Sequence, residues 1–483
     1  MDSKLFFKKY NLLFHAAIMV ALMLVIGNLP APAPITSLGM RLLGIFAGVL
    51  YGWTTCGLLW TSLLGMCALN FSGLYTKLSE FWTISFGSET IVFIMFLFVF
   101  TAVLEEVGLI KFLANLLISF KFLNNKPWLF IGFTMIACCI CASINAFATI
   151  IIFWEITYIL ADRFGFKPFD KCITLILIGI VVCATWGGVI MPYHPAPLVL
   201  IGTYQTLTGE VIDFFQYVCF TFPLAMLVCI FYTLVCRFIF RPDLKELKNI
   251  NVSFVDQEAL QLDFKQKLVL GFLLVFIFMI LGPSILPKEW LLTQWIKGLG
   301  FSGSTILLII ALCLIKIDGD PVLNFKKAAN AGMNWEVLFT LSFIIPFAGI
   351  LTSDPTGIKD FILISVQPVL EGLSPIAFMV VALLIAAILT NFANNIVIEA
   401  IFVTLMVSFI PQLGLPLLPC VMALLVAANL SIATPVASPV ATMMFSNIKW
   451  MKTKDIYRYS VISLVFLIVI ILPIGWLWAN IIF

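Results

Sequence analysis

Long apolar runs separated by short polar stretches extend along almost the whole chain. A helix needs about 20 apolar residues to cross the hydrocarbon core of a bilayer. Runs of about this length lie near 11–29, 211–239, 266–287, 300–316 and 456–482. They predict membrane-spanning helices at these places.

Other apolar runs are interrupted by Gly, Pro and Asn. They lie near 39–69, 88–106, 128–161, 171–205, 336–352, 375–411 and 415–446. Irregular backbone is tolerated at membrane depth only where protein or a water-filled cavity satisfies its polar groups. The many interrupted runs therefore favour a transporter core over a passive helix bundle.

The composition excludes most other classes of protein. Of 483 residues, 62% are hydrophobic and 11% are charged, whereas an average soluble domain has about 25% charged residues. Soluble globular, disordered, fibrous and nucleic-acid-binding proteins are thereby excluded. Two histidines are too few for haem–copper or di-iron centres, and the 12 cysteines lack zinc-type spacing. We expect an all-α polytopic membrane protein without a cofactor.

Charge predicts the orientation of the chain. Basic residues cluster near 4–9, 237–267 and 449–458, whereas the loop 28–38 and the tail 479–483 carry no charge. By the positive-inside rule the basic stretches, and with them the N-terminus, face the cytoplasm, and the C-terminus lies outside. This requires an odd number of crossings, and about eleven fit the chain length. The protein is therefore expected in the plasma (cytoplasmic) membrane, with the bilayer as a partner.

Identical residues recur at a spacing of 249 positions. The pairs are Gly108 and Gly357, Phe112 and Phe361, Asn145 and Asn394, Gly165 and Gly414, and Ala184-Thr185 and Ala433-Thr434. Together with the matching order of interrupted runs, they predict two homologous halves, over about 78–240 and 327–483.

The two halves are predicted to have inverted topology. Segment 109–126 carries three lysines, whereas 357–373 balances one lysine with one aspartate and one glutamate. The first is expected on the cytoplasmic side and the second outside, as in inverted repeats. The alternative is a pair of ordinary amphipathic surface helices.

Two runs are predicted to form re-entrant hairpins, near 128–161 and 375–411. Polar residues at 141–149 and 389–396 divide each run into arms too short to span the bilayer. Asn side chains and free carbonyls at such tips can coordinate Na⁺, and helix N-termini there favour anions. The alternative is hydrogen bonding between helices.

A proline-containing break follows each hairpin, at 187–197 and 433–440. Proline removes a donor and frees carbonyls of the preceding turn, which are suitable Na⁺ ligands. A purely structural kink is the alternative for either break alone. Two breaks in corresponding positions favour a binding site.

The order of hairpin, break, hairpin and break resembles the divalent anion–sodium symporter family of the ion transporter superfamily. Leu389–Asn395 resembles the second family hairpin, and Thr434–Pro439 resembles its second break. Gly187-Gly188 and Pro192 resemble the entry to the first break. The resemblance extends from about Trp53 to the end of the chain.

The resemblance implies a homodimeric elevator transporter. A scaffold would comprise 1–126 and 265–373, and a transport domain would comprise 127–240 and 374–483. A cytoplasmic loop at 241–264 would connect the halves, and segments 109–126 and 357–373 would be arms linking the two domains.

The resemblance also implies a substrate site between two sodium sites. Substrate-binding positions would be Asn145, Thr149, His194, Asn394, Asn395, Ser438 and Pro439. Sodium-binding positions would be Ser143, Asn145, Gly188, Thr390, Asn395 and Ala437, with Na⁺ the only metal.

Several positions depart from the family motifs. Asn145–Thr149 replaces Ser-Asn-Thr-Ala-Thr, Asn394–Ile396 replaces Ser-Asn-Thr, and His194–Pro197 replaces Gly-Thr-Pro-Pro. Most hydroxyl donors that would hold substrate carboxylates are absent. The family preference for dicarboxylates or sulfate therefore does not follow from these motifs alone.

Three ionisable residues at membrane depth are candidates for carrying a proton or charge: His194, Glu155 and Glu399. The alternatives are a histidine hydrogen-bonded at a helix end and glutamates that pair or extend to the interface. Glu105 and Glu106 are expected at a solvated helix end.

These observations predict a secondary active transporter that couples Na⁺ to uptake of a small organic anion, with a dicarboxylate as one candidate. The alternative is a proton-coupled or Na⁺-independent exchanger or permease of the same superfamily. A membrane enzyme is disfavoured because the one sizeable loop, 240–265, lacks a metal motif and a nucleophile constellation. A channel is disfavoured because no filter motif is present.

Overall fold

The computed structural model describes residues 3–75, 77–249, 260–351, 353–361, 364 and 374–483. This part of the chain is helical except for turns, loops and one short pairing of Lys316–Ile317 (β1) with Asp320–Pro321 (β2). The helices of the first half are α1 (Ser3–Gly27), α2 (Ser37–Thr55), α3 (Leu59–Phe71), α4 (Leu78–Phe86), α5 (Glu89–Glu106), α6 (Leu109–Ile118), α7 (Pro127–Ala142), α8 (Ala146–Phe164), α9 (Lys171–Ile190), α10 (Pro195–Thr208) and α11 (Phe214–Val235). Those of the second half are α12 (Phe264–Ile285), α13 (Leu291–Leu314), α14 (Phe325–Gly332), α15 (Trp335–Leu351), α16 (Pro375–Leu389), α17 (Asn395–Phe409), α18 (Leu417–Ala428), α19 (Pro439–Ser446) and α20 (Thr453–Ile482).

Several of these helices can cross a bilayer. Within the described residues, six stretches are long and apolar enough: Lys171–Thr208, Phe214–Phe240, Phe264–Ile285, Leu291–Leu314, Asn395–Leu413 and Thr453–Ile482. A seventh candidate is the pair α4 and α5, which is bent by 57°. The chain is thus an all-α membrane protein, as predicted. Eleven crossings stay a prediction, because the interrupted runs form shorter helices.

Both predicted hairpins are helix–turn–helix units with the same local signals. In each unit proline is the first residue of the first helix, Pro127 in α7 and Pro375 in α16. Proline suits this position because its missing N–H is not needed there. An asparagine caps each second helix: Asn145 Oδ1 accepts from the Ala148 N–H at 3.1 Å, and Asn394 Oδ1 accepts from the Ile396 N–H at 3.0 Å. The sequence therefore places the turns at Ser143–Asn145 and Thr390–Asn394.

The core centres on two helices that are apolar on nearly all sides. Almost every residue of α9 is buried, and it packs against α7, α8, α11, α19 and α20. The corresponding helix α18 is buried from Pro419 to Ala428 and packs against α16, α17 and α20. A helix without a polar face must be surrounded by protein or lipid. These two helices accordingly hold the hairpins in place.

Each central helix is followed by irregular backbone, as predicted, but the two breaks differ in length. The first spans only Met191–His194, since Gly187 and Gly188 still belong to α9. A Cβ atom at Gly187 would lie 2.3 Å from the Cys139 carbonyl oxygen, so this glycine allows α7 and α9 to approach closely. The second break spans Asn429–Ser438.

Residues paired at the 249-position spacing have matching backbone roles. Gly108 and Gly357 have φ angles of 69° and 63°, and Gly165 and Gly414 have φ angles of 75° and 69°. Left-handed backbone favours glycine, so these identities have a structural reason in both halves. The first predicted arm contains α6, whereas most of 357–373 lies outside the described residues.

Candidate functional site

One cavity of about 550 Å³ brings together the two hairpin tips and the two breaks. Six of the predicted site residues line it: Asn145, Gly188, His194, Asn395, Ser438 and Pro439. The remaining wall comes from α5, around Phe98 and Glu105, and from the segment 331–337 that connects α14 and α15. The hairpin–break order predicted from sequence therefore corresponds to one shared cavity.

Four helices begin at this cavity. Ala146, Pro195, Asn395 and Pro439 are the first residues of α8, α10, α17 and α19, and all four line the cavity. The first N–H groups of a helix lack intrahelical partners and carry partial positive charge. Their convergence creates a site that favours a small anion.

The first hairpin tip is connected to two other elements. The Ser143 carbonyl accepts hydrogen bonds from the Tyr193 hydroxyl at 2.9 Å and from His194 Nε2 at 2.8 Å, which links the tip to the first break. The Asn145 amide donates to the Glu105 carboxylate on α5. Glu105 is exposed at the end of α5, as expected, and it also lines the cavity, while Glu106 pairs with Lys327 at 2.7 Å.

The second tip is connected to the second break by a buried asparagine. The Asn391 side chain donates to the carbonyls of Ala387 and Leu430, both at 2.8 Å. Its Oδ1 accepts from the N–H groups of Ile432 at 3.1 Å and Ala433 at 2.8 Å. All hydrogen-bonding capacity of this amide group is satisfied, so it fixes the tip to the break. The sequence places Asn391 among the polar residues of the tip but assigns it no role, because that role depends on a partner segment about forty residues away.

The predicted sodium ligands of the second tip are also buried. Thr390 Oγ1 donates to the Ala428 carbonyl at 2.7 Å, and the Asn395 N–H donates to the Ala437 carbonyl at 3.0 Å. The Asn395 side chain, which is 5% exposed, donates to Asn429 Oδ1 at 3.2 Å. Within the part of the chain that the structure describes, its own Oδ1 has no hydrogen-bond partner. A buried oxygen without a donor, beside a cavity, is a candidate cation ligand.

A family comparison covers nearly the whole chain. Residues 10–483 match the model of the sodium:sulfate symporter transmembrane region. The chain belongs to the sodium:sulfate symporter family. This is the divalent anion–sodium symporter family that the hairpin and break motifs resemble, and it is a family of transporters rather than enzymes.

Two relatives match part of this symporter-family chain. An uncharacterised transporter of Methanocaldococcus jannaschii is 21% identical over 283 residues, which cover 58% of this chain and 59% of the relative. The sodium-dependent dicarboxylate transporter SdcS of Staphylococcus saprophyticus is 24% identical over 281 residues, covering 56% of this chain and 52% of the relative. The chain thus spans little more than half the length of these curated relatives.

A solved structure shares the fold. The crystal structure of the Alcanivorax borkumensis YdaH transporter superposes with a TM-score of 0.59, at 12% identity, and covers 97% of this chain and 98% of that one. At this identity the likeness concerns the fold alone. It supports the all-α architecture of the chain.

The described lining of the cavity in this family member is acidic rather than basic. Its described lining contains Glu105, Glu336 and His194, and none of these lining residues is Lys or Arg. Fixed negative charge opposes an anion. A bound anion would therefore depend on the four helix N-termini and on accompanying cations.

Other predicted residues lie away from the cavity surface. Thr149 is fully buried on α8, and its Oγ1 has no partner. Asn394 contributes the cap of α17 and is not among the lining residues, and Glu155 is exposed on α8. Glu399 is fully buried on α17. The described residues contain no group of three or more His, Cys, Asp or Glu side chains that could hold a metal ion.

Proposed function

We propose that this symporter-family protein couples Na⁺ entry to uptake of a small organic anion, with dicarboxylates as the first class to test. The convergence of four helix N-termini on one cavity that also contains the unpartnered Asn395 oxygen carries the proposal. The helix N-termini stabilise an anion, and the Asn395 oxygen suits a monovalent cation. The name of the staphylococcal relative, a sodium-dependent dicarboxylate transporter, supports the choice of substrate class.

We assign the substrate positions to the residues that reach the cavity. Asn145, His194, Asn395, Ser438 and Pro439 would surround the anion. Two further predicted positions would act indirectly. Asn394 would act by capping α17, and Thr149 would act from its buried position on α8, in the second helix of the first hairpin.

The sodium sites would lie on either side of the anion. The first would use Ser143, Asn145 and Gly188, and the second would use Thr390, Asn395 and Ala437. Both sets combine amide, hydroxyl and backbone oxygens, which are hard ligands of the kind Na⁺ prefers. Bound Na⁺ would neutralise charge beside the anion, so each ligand would raise the affinity for the other.

The remaining architecture is proposed from the family resemblance. It comprises about eleven crossings, two re-entrant hairpins in inverted repeats, and a homodimer in the plasma membrane with the N-terminus inside. The transport domain, 127–240 with 374–483, would move as an elevator past the scaffold, 1–126 with 265–373. The matching glycine conformations in the two halves support the repeat.

A proton-coupled or Na⁺-independent exchanger of the same superfamily is the second candidate. His194 lies in the cavity and could exchange protons with bound substrate. Its ring nitrogen is already bonded to the Ser143 carbonyl, which favours a role in holding the first tip. Glu155 is exposed on α8 and is not a lining residue, so it has less support as a proton carrier.

Transport by purified protein in liposomes tests this proposal. Radiolabelled succinate and sulfate serve as probes, with an inward gradient of either Na⁺ or choline. Succinate uptake should require Na⁺ and should be electrically driven when Na⁺ charge exceeds anion charge. Equal uptake with choline would contradict Na⁺ coupling, and uptake driven by an inward proton gradient alone would favour the second candidate.

A further inference from the structure

A buried carboxylate lies behind the second hairpin tip. Glu399, in the second turn of α17, has 0% exposure. One carboxylate oxygen, Oε1, accepts a hydrogen bond from Asn429 Nδ2 at 2.7 Å, whereas Oε2 has no hydrogen-bond partner among the described residues. Only one of the two carboxylate oxygens therefore has a hydrogen bond, which is rare for a buried polar group.

The described helices packed against α17 do not supply a positive charge. Helix α17 packs against α10, α15, α16 and α18, and none of these five helices contains Lys, Arg or His. Their titratable groups are Tyr204 on α10, Glu336 at the start of α15 and Cys420 on α18, and Tyr217 on α11 also interacts electrostatically with Glu399. Each of these is neutral or negative, so no group on these helices balances the carboxylate.

A hydrogen-bond chain connects Glu399 to the cavity. Asn429, which donates to Glu399, accepts from Asn395 Nδ2 at 3.2 Å, and both asparagines line the cavity. Asn395 and Glu399 are four residues apart on α17 and therefore lie on the same helix face. Each of these two residues has one buried oxygen without a partner.

An uncompensated charge is strongly disfavoured at membrane depth. Glu399 must therefore either hold a proton or bind a cation. Asn395 Oδ1 and Glu399 Oε2 are hard oxygens of the kind that coordinate Na⁺. We propose that Glu399, Asn429 and Asn395 form a monovalent cation site at which Na⁺ and a proton compete.

This site deepens the proposed function, because it rests on Na⁺ as the coupling ion. In the Na⁺-free protein Glu399 holds the proton. When Na⁺ enters, the proton leaves to the cavity. The charge of the site therefore changes less on Na⁺ binding than it would if the site held no proton to release. Acidification should therefore weaken Na⁺ binding, and Na⁺ binding should release protons.

Proton release can be measured directly on the purified protein. NaCl is added to weakly buffered protein containing a pH-indicator dye, with choline chloride as the control for ionic strength. We expect release of up to one proton per chain, none from Glu399→Gln, and parental release from Glu289→Gln, a variant of an exposed loop glutamate. No release from the parent, or equal release from Glu399→Gln, would overturn the proposal.

A second measurement uses only the parent protein, in case Glu399→Gln does not fold. The NaCl concentration that gives half-maximal thermal stabilisation should rise about tenfold per unit fall in pH while Glu399 is protonated in the Na⁺-free state. A value independent of pH between 5 and 9 would contradict the site. Na⁺-dependent succinate uptake with no proton release would leave the proposed function standing and reject only this competition.

Discussion

The two hairpin–break units have the same local design but different interiors. The 249-position spacing pairs Asn391, Asn395, Glu399 and Asn429 with Ala142, Ala146, Ile150 and Ile180. Thus the second unit has a buried polar network where the first has apolar side chains. The first tip is instead held by Tyr193 and His194 of its own break and, from outside the unit, by Glu105 on α5.

This difference indicates that the two tips are held by different kinds of contact. The second unit fixes its own tip and break through Asn391, so the proposed cation ligands of this unit are preorganised within it. The first tip has an additional contact with α5, through Asn145 and Glu105, and α5 belongs to the proposed scaffold rather than to the proposed transport domain. A contact between the two proposed domains would break if they moved past each other, whereas the Asn391 contacts would persist.

The largest expected effect is on Na⁺ affinity, and it should differ between two adjacent asparagines of the second tip. Asn395→Ala should weaken apparent Na⁺ affinity at least tenfold, about 1.4 kcal/mol, because it removes a candidate ligand. Asn394→Ala should weaken it less than about threefold, because the cap it removes serves helix α17 alone. Na⁺-dependent thermal stabilisation measures both variants, and equal effects would remove Asn395 from the cation site.

The next effect concerns the buried Asn391. Asn391→Ala leaves two carbonyls and two N–H groups of the second unit without their partner, and should cost about 1–3 kcal/mol of stability. The melting temperature in detergent should fall by several degrees. The melting temperature of Ala142→Ser, a substitution at the corresponding position of the first unit, is measured for comparison. A melting temperature unchanged in Asn391→Ala would show that the tip is not fixed by this residue.

A smaller effect is expected from the contact between Glu105 and the first tip. Glu105→Gln removes negative charge from the cavity and should raise apparent succinate affinity by about threefold, or ~0.7 kcal/mol. Glu106→Gln is the matched control, since Glu106 pairs with Lys327 outside the cavity. Weaker succinate binding in Glu105→Gln would mean that Glu105 helps to bind a cation or a cationic part of the substrate.

The smallest effect is expected at His194. Glutamine can also donate to the Ser143 carbonyl, so His194→Gln should change uptake by less than about twofold and leave its pH profile unchanged. His194→Phe cannot donate and should reduce uptake more. A pH-dependent parent whose profile flattens in His194→Gln would instead identify the histidine as a proton carrier.

Local sequence signals predicted the elements of the site well. Pro127 and Pro375 begin the first hairpin helices, and Asn145 and Asn394 cap the second ones, because proline and asparagine have strong preferences at these positions. The predicted order of hairpins and breaks is present in the structure for the same reason. The entry to the first break was placed several residues early, since glycine can also remain inside a helix where two backbones approach closely.

The sequence by itself determined the membrane class and the residue types at the tips, because hydropathy and capping act over short distances. The tertiary structure decided which polar groups meet. Glu105 reaches Asn145 across forty residues, and Glu399 meets Asn429 across thirty. Such contacts depend on how helices pack, and apolar helices can pack in many ways that satisfy hydropathy equally. Only the packed helices therefore show which buried polar atoms, such as Asn395 Oδ1 and Glu399 Oε2, lack a hydrogen-bond partner among the described residues.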